Sequence, residues 1–159
     1  MNLLKTVGLF ALTALVAATA LAQSGEQAPA VYRPGLGDLM TMTVQPRHLK
    51  LGLAGQEKNW AYAAYELHEL EESLERIAHV WPKWRQVDIG TTILATTKDP
   101  LESVEQAIKD RDPAKFNAAF GRLTATCNAC HQSSNVGFVV IQVPRSSPFA
   151  NQDFRPAKP

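Results

Sequence analysis

Only two cysteines and three methionines occur among the 159 residues, and no methionine lies beyond Met42. Two cysteines allow at most one disulfide. A zinc site would need two further ligands grouped elsewhere, and the other histidines (His48, His68 and His79) are scattered along the chain. No hydrolytic triad, phosphate loop or nucleotide fingerprint is present, and no strong internal repeat. Neither sign of charge dominates: 16 basic and 15 acidic residues leave a formal charge of +1. That balance argues against nucleic acid or an anionic membrane surface as the main partner. The length suits one domain and is too short for two comfortable cores.

The start of the chain reads as a leader over residues 1–22. A short basic stretch, Met1 to Lys5, precedes an apolar run from Val7 to Ala22 interrupted only by Thr13 and Thr19, and Ala20-Leu21-Ala22 supplies a small-x-small cleavage pattern. An uncleaved anchor is the other reading, but the run is short of the roughly 20 apolar residues of a bilayer span. No cysteine near the cut prepares a lipid anchor. The expected mature chain begins at Gln23, is neutral because Lys5 is lost, lies in the periplasm and has no stable membrane insertion.

Residues 23–37, rich in Gly and Pro, read as an arm. Residues 38–135 carry helical periodicity in four segments, which predicts an all-α four-helix bundle. The first runs from Asp38 to Ala54, closed by Gly55; Pro46 either opens it or kinks it. It has two apolar stripes: Met42, Leu49 and Leu53 on one, and Met40, Val44, His48 and Leu51 on the other. The second runs from Asn59, a capping residue, to about Val80, with a seam of Trp60, Ala63, Leu67, Leu70, Leu74 and Ile77 ending before Pro82. Its glutamates, Glu66, Glu69, Glu71, Glu72 and Glu75, read as a solvated face. Residues 82–98 read as a long connection with a helical turn near 91–95. Asp99-Pro100 and Asp112-Pro113 each look like an N-cap followed by a first-turn proline, opening helices three and four. Residues 136–159, with a β-branched run and four prolines, read as an extended tail whose apolar side chains cover something.

Cys127-Asn128-Ala129-Cys130-His131 carries the chemistry. Residues three apart on a helix share a side, so the two thiols can reach the two vinyl groups of one porphyrin, while His131 directs an imidazole nitrogen at the iron. Phe116, Phe120 and Leu123 lead up to the motif on the same side of its helix, which points it inward. A thioredoxin-type C-x-x-C would sit beside a βαβ pattern, and none is present. The expected cofactor is therefore one covalent haem c, with His131 as the proximal ligand.

A C-x-x-C-H on the last of four helices, with no methionine after it, resembles the class II c-type cytochromes, the cytochrome c-prime group, over residues 31–135. Val31-Tyr32-Arg33 followed by Met42 and His48 is similar to that group's opening helix. Pro34, Gly35 and Pro46 depart from its register, Gln132-Ser133-Ser134 stands where a basic residue is usual, and the tail is longer. The resemblance implies a face opposite the proximal histidine closed by a first-helix side chain, and pairing as a homodimer.

The sixth iron position separates the functions. His48 is the preferred candidate, as part of an apolar stripe, with a surface position beside Arg47 and Lys50 as the alternative; Met42 is a second candidate. Trp60 and Trp81 fit core packing, and Trp84 is expected to be partly exposed. A non-enzymatic electron carrier serving periplasmic redox partners is the leading expectation. A five-coordinate protein binding NO or CO is the second, and a weak peroxidase using His48 with Arg47 the third.

Overall fold

The computed structural model of the chain describes residues 32–158; the leader, most of the arm and Pro159 lie outside them. Four helices follow one another, and no strand occurs among the described residues. Helix α1 covers residues 36–56, α2 is Trp60–Val80, α3 is Ile89–Lys109 and α4 is Pro113–Ser133. Each helix packs on the next, and α1 also meets α4. The all-α expectation holds. A tail without regular structure runs from residue 136 onward.

Helix α1 starts at Leu36, two residues before the expected boundary, so Tyr32 and Arg33 lie ahead of it rather than in an opening helix. Trp81 Nε1 donates to the Pro34 carbonyl at 2.9 Å, and the Arg33 guanidinium lies 3.5 Å from the centre of the Trp81 ring. Pro46 lies inside a longer helix, in the first turn of its regular part, Gln45–Gln56. The turn before it, Met40–Val44, widens to π-type bonding, with Gln45 N–H reaching the Met40 carbonyl. A wider turn accommodates a residue that has no N–H to give and whose ring would crowd the preceding turn.

Helix α2 forms as its periodicity predicts, and Asn59 caps it by accepting from Tyr62 N–H at 3.3 Å. Glu66 departs from expectation: it is 1% exposed, not on a solvated face. Arg47 lies 3.1 Å from it and 2.9 Å from Glu69, so a cross-helix ion pair replaces the lost water.

The largest departure is α3, which is one continuous helix with Pro100 inside it. Of residues 82–98, only 82–88 connect the helices; 89–98, with the expected helical turn at 91–95, belong to α3, and Asp99-Pro100 is not a start. A mid-helix proline costs about 3 kcal/mol. Ile89 and Ile93, buried only if the helix extends back past Pro100, recover roughly 1.5–3 kcal/mol each. Together they offset the proline, and the buried stripe Ile89, Ile93, Thr97, Leu101, Val104 and Ile108 crosses it without a break.

Asp112 caps α4 as expected, accepting from Ala114 and Lys115 N–H at 2.9 and 3.0 Å. Three helices end alike. Lys58, Arg111 and Asn135 take left-handed backbone angles (φ 58°, 52° and 58°), and the next N–H in each case bonds back to Ala54, Ala107 or His131.

Helices α1 and α4 pack antiparallel in a readable register. An added Cβ at Gly55 would lie 2.0 Å from the Phe116 ring, and one at Gly52 would lie 2.7 Å from both Phe120 and Pro144. The two glycines thus let α1 approach the buried Phe116 and Phe120 closely. Gly55→Ala is expected to lower stability by about 1–3 kcal/mol in chemical denaturation. Gly121→Ala, with nothing within 4 Å of its added Cβ, is expected to raise it by about 0.5–1 kcal/mol.

Candidate functional site

Toward the other end of the α1–α4 seam the side chains no longer meet. A cavity opens there, with Met40, Val44 and His48 of α1 on one side and Cys127, Cys130 and His131 of α4 on the other. Leu74 and Ile93 add apolar walls from α2 and α3, and Val139 and Ile141 of the tail cover one side. The interior volume is about 110 Å³, and the atom-free space is about 720 Å³ with the mouth included. The enclosed volume is smaller than the roughly 300–1,000 Å³ of small-molecule and cofactor sites, and the cleft gains its remaining space by opening to solvent. A neighbouring compartment of about 180 Å³ shares Cys130 and His131 and is closed by Leu36, Trp84 and Ile89.

His131 is held by the tail. Its Nδ1 lies 2.8 Å from the Val139 carbonyl, which can only accept, so Nδ1 carries a proton, and in the neutral ring Nε2 keeps the lone pair. This is the tautomer a metal-binding histidine adopts when its second nitrogen is engaged. Asn128, between the two cysteines, donates to the Ile141 carbonyl at 2.8 Å and accepts from Ile141 N–H at 2.7 Å. Its side-chain amide thus pairs both polar groups of one tail residue. Sequence reasoning missed Asn128 and Val139. Nothing in the motif marks its second position, and a backbone carbonyl has no residue signature.

Burial pushes the Cys127 thiol up to about 11, with the neighbouring Cys130 adding to the effect. A thioredoxin-type attacking thiol needs the opposite shift. Among the described residues, no three of His, Cys, Asp and Glu come together as a site for a metal ion held by protein alone.

His48 is 4% exposed and faces the cavity, not the surface. Its ring stacks on Phe120 with centroids 4.6 Å apart. The Thr124 hydroxyl donates to the Phe120 carbonyl at 2.9 Å and lies 2.9 Å from His48 Nε2, so it accepts the Nε2 proton. Nδ1 has no hydrogen-bond partner among the described residues. Arg47, the next residue round the helix, points to Glu66 and Glu69 instead, so the two do not form a pair at the cavity.

Met42 does not reach the cavity. It is 74% exposed, two residues round the helix from Met40, and this corrects its candidacy as an iron ligand. His68 is exposed beside Glu72, and His79 is exposed. Trp60 packs edge-on against Phe116 and Trp84 is half-buried.

Comparisons of this chain with protein-family models, curated proteins and solved structures find no match.

Burial without a charged partner lowers the His48 pKa from 6.5 to about 4. The unfolded chain therefore binds the extra proton first. Stability from keeping this ring neutral is complete above about pH 6.5, falls with pH, and is gone below about pH 4. The amount is on the order of 3 kcal/mol. Denaturation at pH 7, 5.5 and 4 is expected to show this loss in the wild type and a flatter profile in His48→Gln.

Proposed function

We propose that this chain is an exported monohaem c-type cytochrome whose main role is to carry electrons. The observation that carries the reading is the state of His131: its Nδ1–H is committed to the Val139 carbonyl, and both motif cysteines line the same apolar cavity. The donor set fits haem c. Cys127 and Cys130 would hold it through thioethers, and His131 Nε2 would take the iron. Haem c held there supplies a one-electron iron couple whose potential follows axial ligation, burial and hydrogen bonding.

The chain's own residues would do the rest. Leu74 and Ile93 line the cavity with apolar surface and Val139 and Ile141 border it from the tail; an apolar lining favours small reorganisation on electron transfer. Thr124 and Phe120 hold His48 as a neutral wall group. Periplasmic redox proteins are the partners this reading requires, and pairing as a homodimer follows only from the likeness to the c-prime group.

A second reading, a five-coordinate haem protein that binds NO or CO, is favoured by the distal side. His48 Nε2 is already engaged by Thr124, and Met42 lies in solvent. A strong sixth ligand from His48 would have to use Nδ1 or break the Thr124 bond.

Replacing Cys127 and Cys130 with Ala is expected to abolish covalent haem. Haem that resists acid–acetone extraction in that variant would defeat the proposal, as would its absence from the exported wild type. Optical and magnetic spectra then separate the two readings. A low-spin six-coordinate iron supports the carrier, and its conversion to high spin in His48→Ala identifies the ligand. A high-spin ferrous form that takes up CO rapidly supports the gas-binding reading.

A further inference from the structure

Three features converge on the residue between the cysteines. Asn128 stands three positions before His131 on α4. Its side-chain amide uses a donor and an acceptor together, on the carbonyl and the N–H of Ile141, at 2.8 and 2.7 Å. Two residues earlier in the tail, the Val139 carbonyl takes the His131 Nδ1 proton at 2.8 Å. Upstream, the tail is aimed by the left-handed Asn135, by Val136 N–H bonding to the His131 carbonyl, and by a turn closed from Val139 N–H to the Val136 carbonyl. Residues 136–141 are thus pinned at both ends, and the carbonyl that meets the imidazole lies between the pins.

We propose that Asn128 is a positioning residue for His131. By holding Ile141 in register it keeps the Val139 carbonyl on Nδ1–H, and so fixes the tautomer, ring orientation and donor strength of the proximal imidazole. This rests on the haem reading above for its consequence at iron, but not for the clamp itself.

The chemistry gives the effect a sign. A ring nitrogen whose partner N–H bonds to a carbonyl is a more basic ligand than one bonded to water. A more basic axial ligand stabilises ferric over ferrous iron and lowers the potential. No neighbouring residue duplicates the amide: Ala129 has no polar side chain, and Thr126 bonds back to the Arg122 carbonyl. The other tail anchors, Gln56 on Pro144, Asn59 on Phe154 and Arg155, and Gln152 on the Tyr62 hydroxyl, lie further along the chain and do not touch residues 136–141.

The test compares wild type, Asn128→Leu and Gln56→Leu, purified with their haem. Leucine matches asparagine in shape and removes both polar groups of the clamp. Gln56→Leu loosens the tail at a point remote from His131. A raised midpoint potential in Asn128→Leu with little change in Gln56→Leu is the expected result. An unchanged potential overturns the proposal. A lowered one also overturns it, because it would show that the tail acts by excluding water, not through the ligand.

A second measurement reads the clamp directly. In histidine-labelled protein, ferrous and saturated with CO, the His131 Nδ1–H is expected to exchange slowly in the wild type and rapidly in Asn128→Leu. Rapid exchange in the wild type overturns the proposal even if the variant fails to accumulate. If the wild type carries no haem, the proposed function falls, and the same signal in the haem-free protein still decides the clamp.

Discussion

Everything at the candidate site depends on the register between α1 and α4. At one end of their seam Gly52 and Gly55 admit two phenylalanine rings so closely that no side chain fits between. Such contact tolerates no sliding, because an interior at crystal-like density has no slack to absorb an extra methyl. The register then continues along the seam, to His48 against Phe120 and Thr124, and on to Met40 and Val44 across from the motif. His48 sits at the change from packed core to open space. Its burial is large enough to hold it neutral, and its one strong bond points down into the core rather than up into the cavity.

The tail completes what the helices leave open. It bonds to α4 through Asn128 and His131, to α1 through Gln56, and to the start of α2 through Asn59. Further along, Phe154 is only 7% exposed and stacks on Tyr62 with ring centroids 5.8 Å apart. The Lys50 ammonium lies 4.8 Å from the centre of the Phe149 ring. These contacts make a segment without regular secondary structure part of the core. The expectation that its apolar residues cover something is met by Ile141 and in part by Val139, which lines the cavity and stays 43% exposed, whereas Phe138 and Val140 face outward.

Sequence reasoning reached those features that depend on one helix at a time. The α2 seam, the Asn59 and Asp112 caps, and the inward face of α4 all follow from spacing and local hydrogen bonding. It failed where two elements decide the outcome. Pro100 reads as a helix start until Ile89 and Ile93 are seen to be buried, and Thr91, Thr92, Thr96 and Thr97 weaken the helical signal ahead of it. Glu66 reads as solvent-facing until Arg47 is placed across from it. Met40 shares a stripe with Val44 and His48 and lines the cavity with them, whereas Met42, a ligand candidate on the opposite stripe, lies in solvent. Asn128 and Thr124 carry no signal, because each acts by a geometry that only the folded chain creates.

The cavity wall has a consequence for the order of assembly. Residues 136–158 follow the cysteines in the chain, so the side of the cleft formed by Val139 and Ile141 is made after the motif during synthesis. Until that segment docks, both thiols are approachable from the tail side, and the imidazole Nδ1 has no carbonyl partner. Docking covers that side and gives the imidazole its carbonyl partner together. A chain built this way completes the surroundings of the motif only after the motif itself has been synthesised, with residues 136–141 as the closing segment.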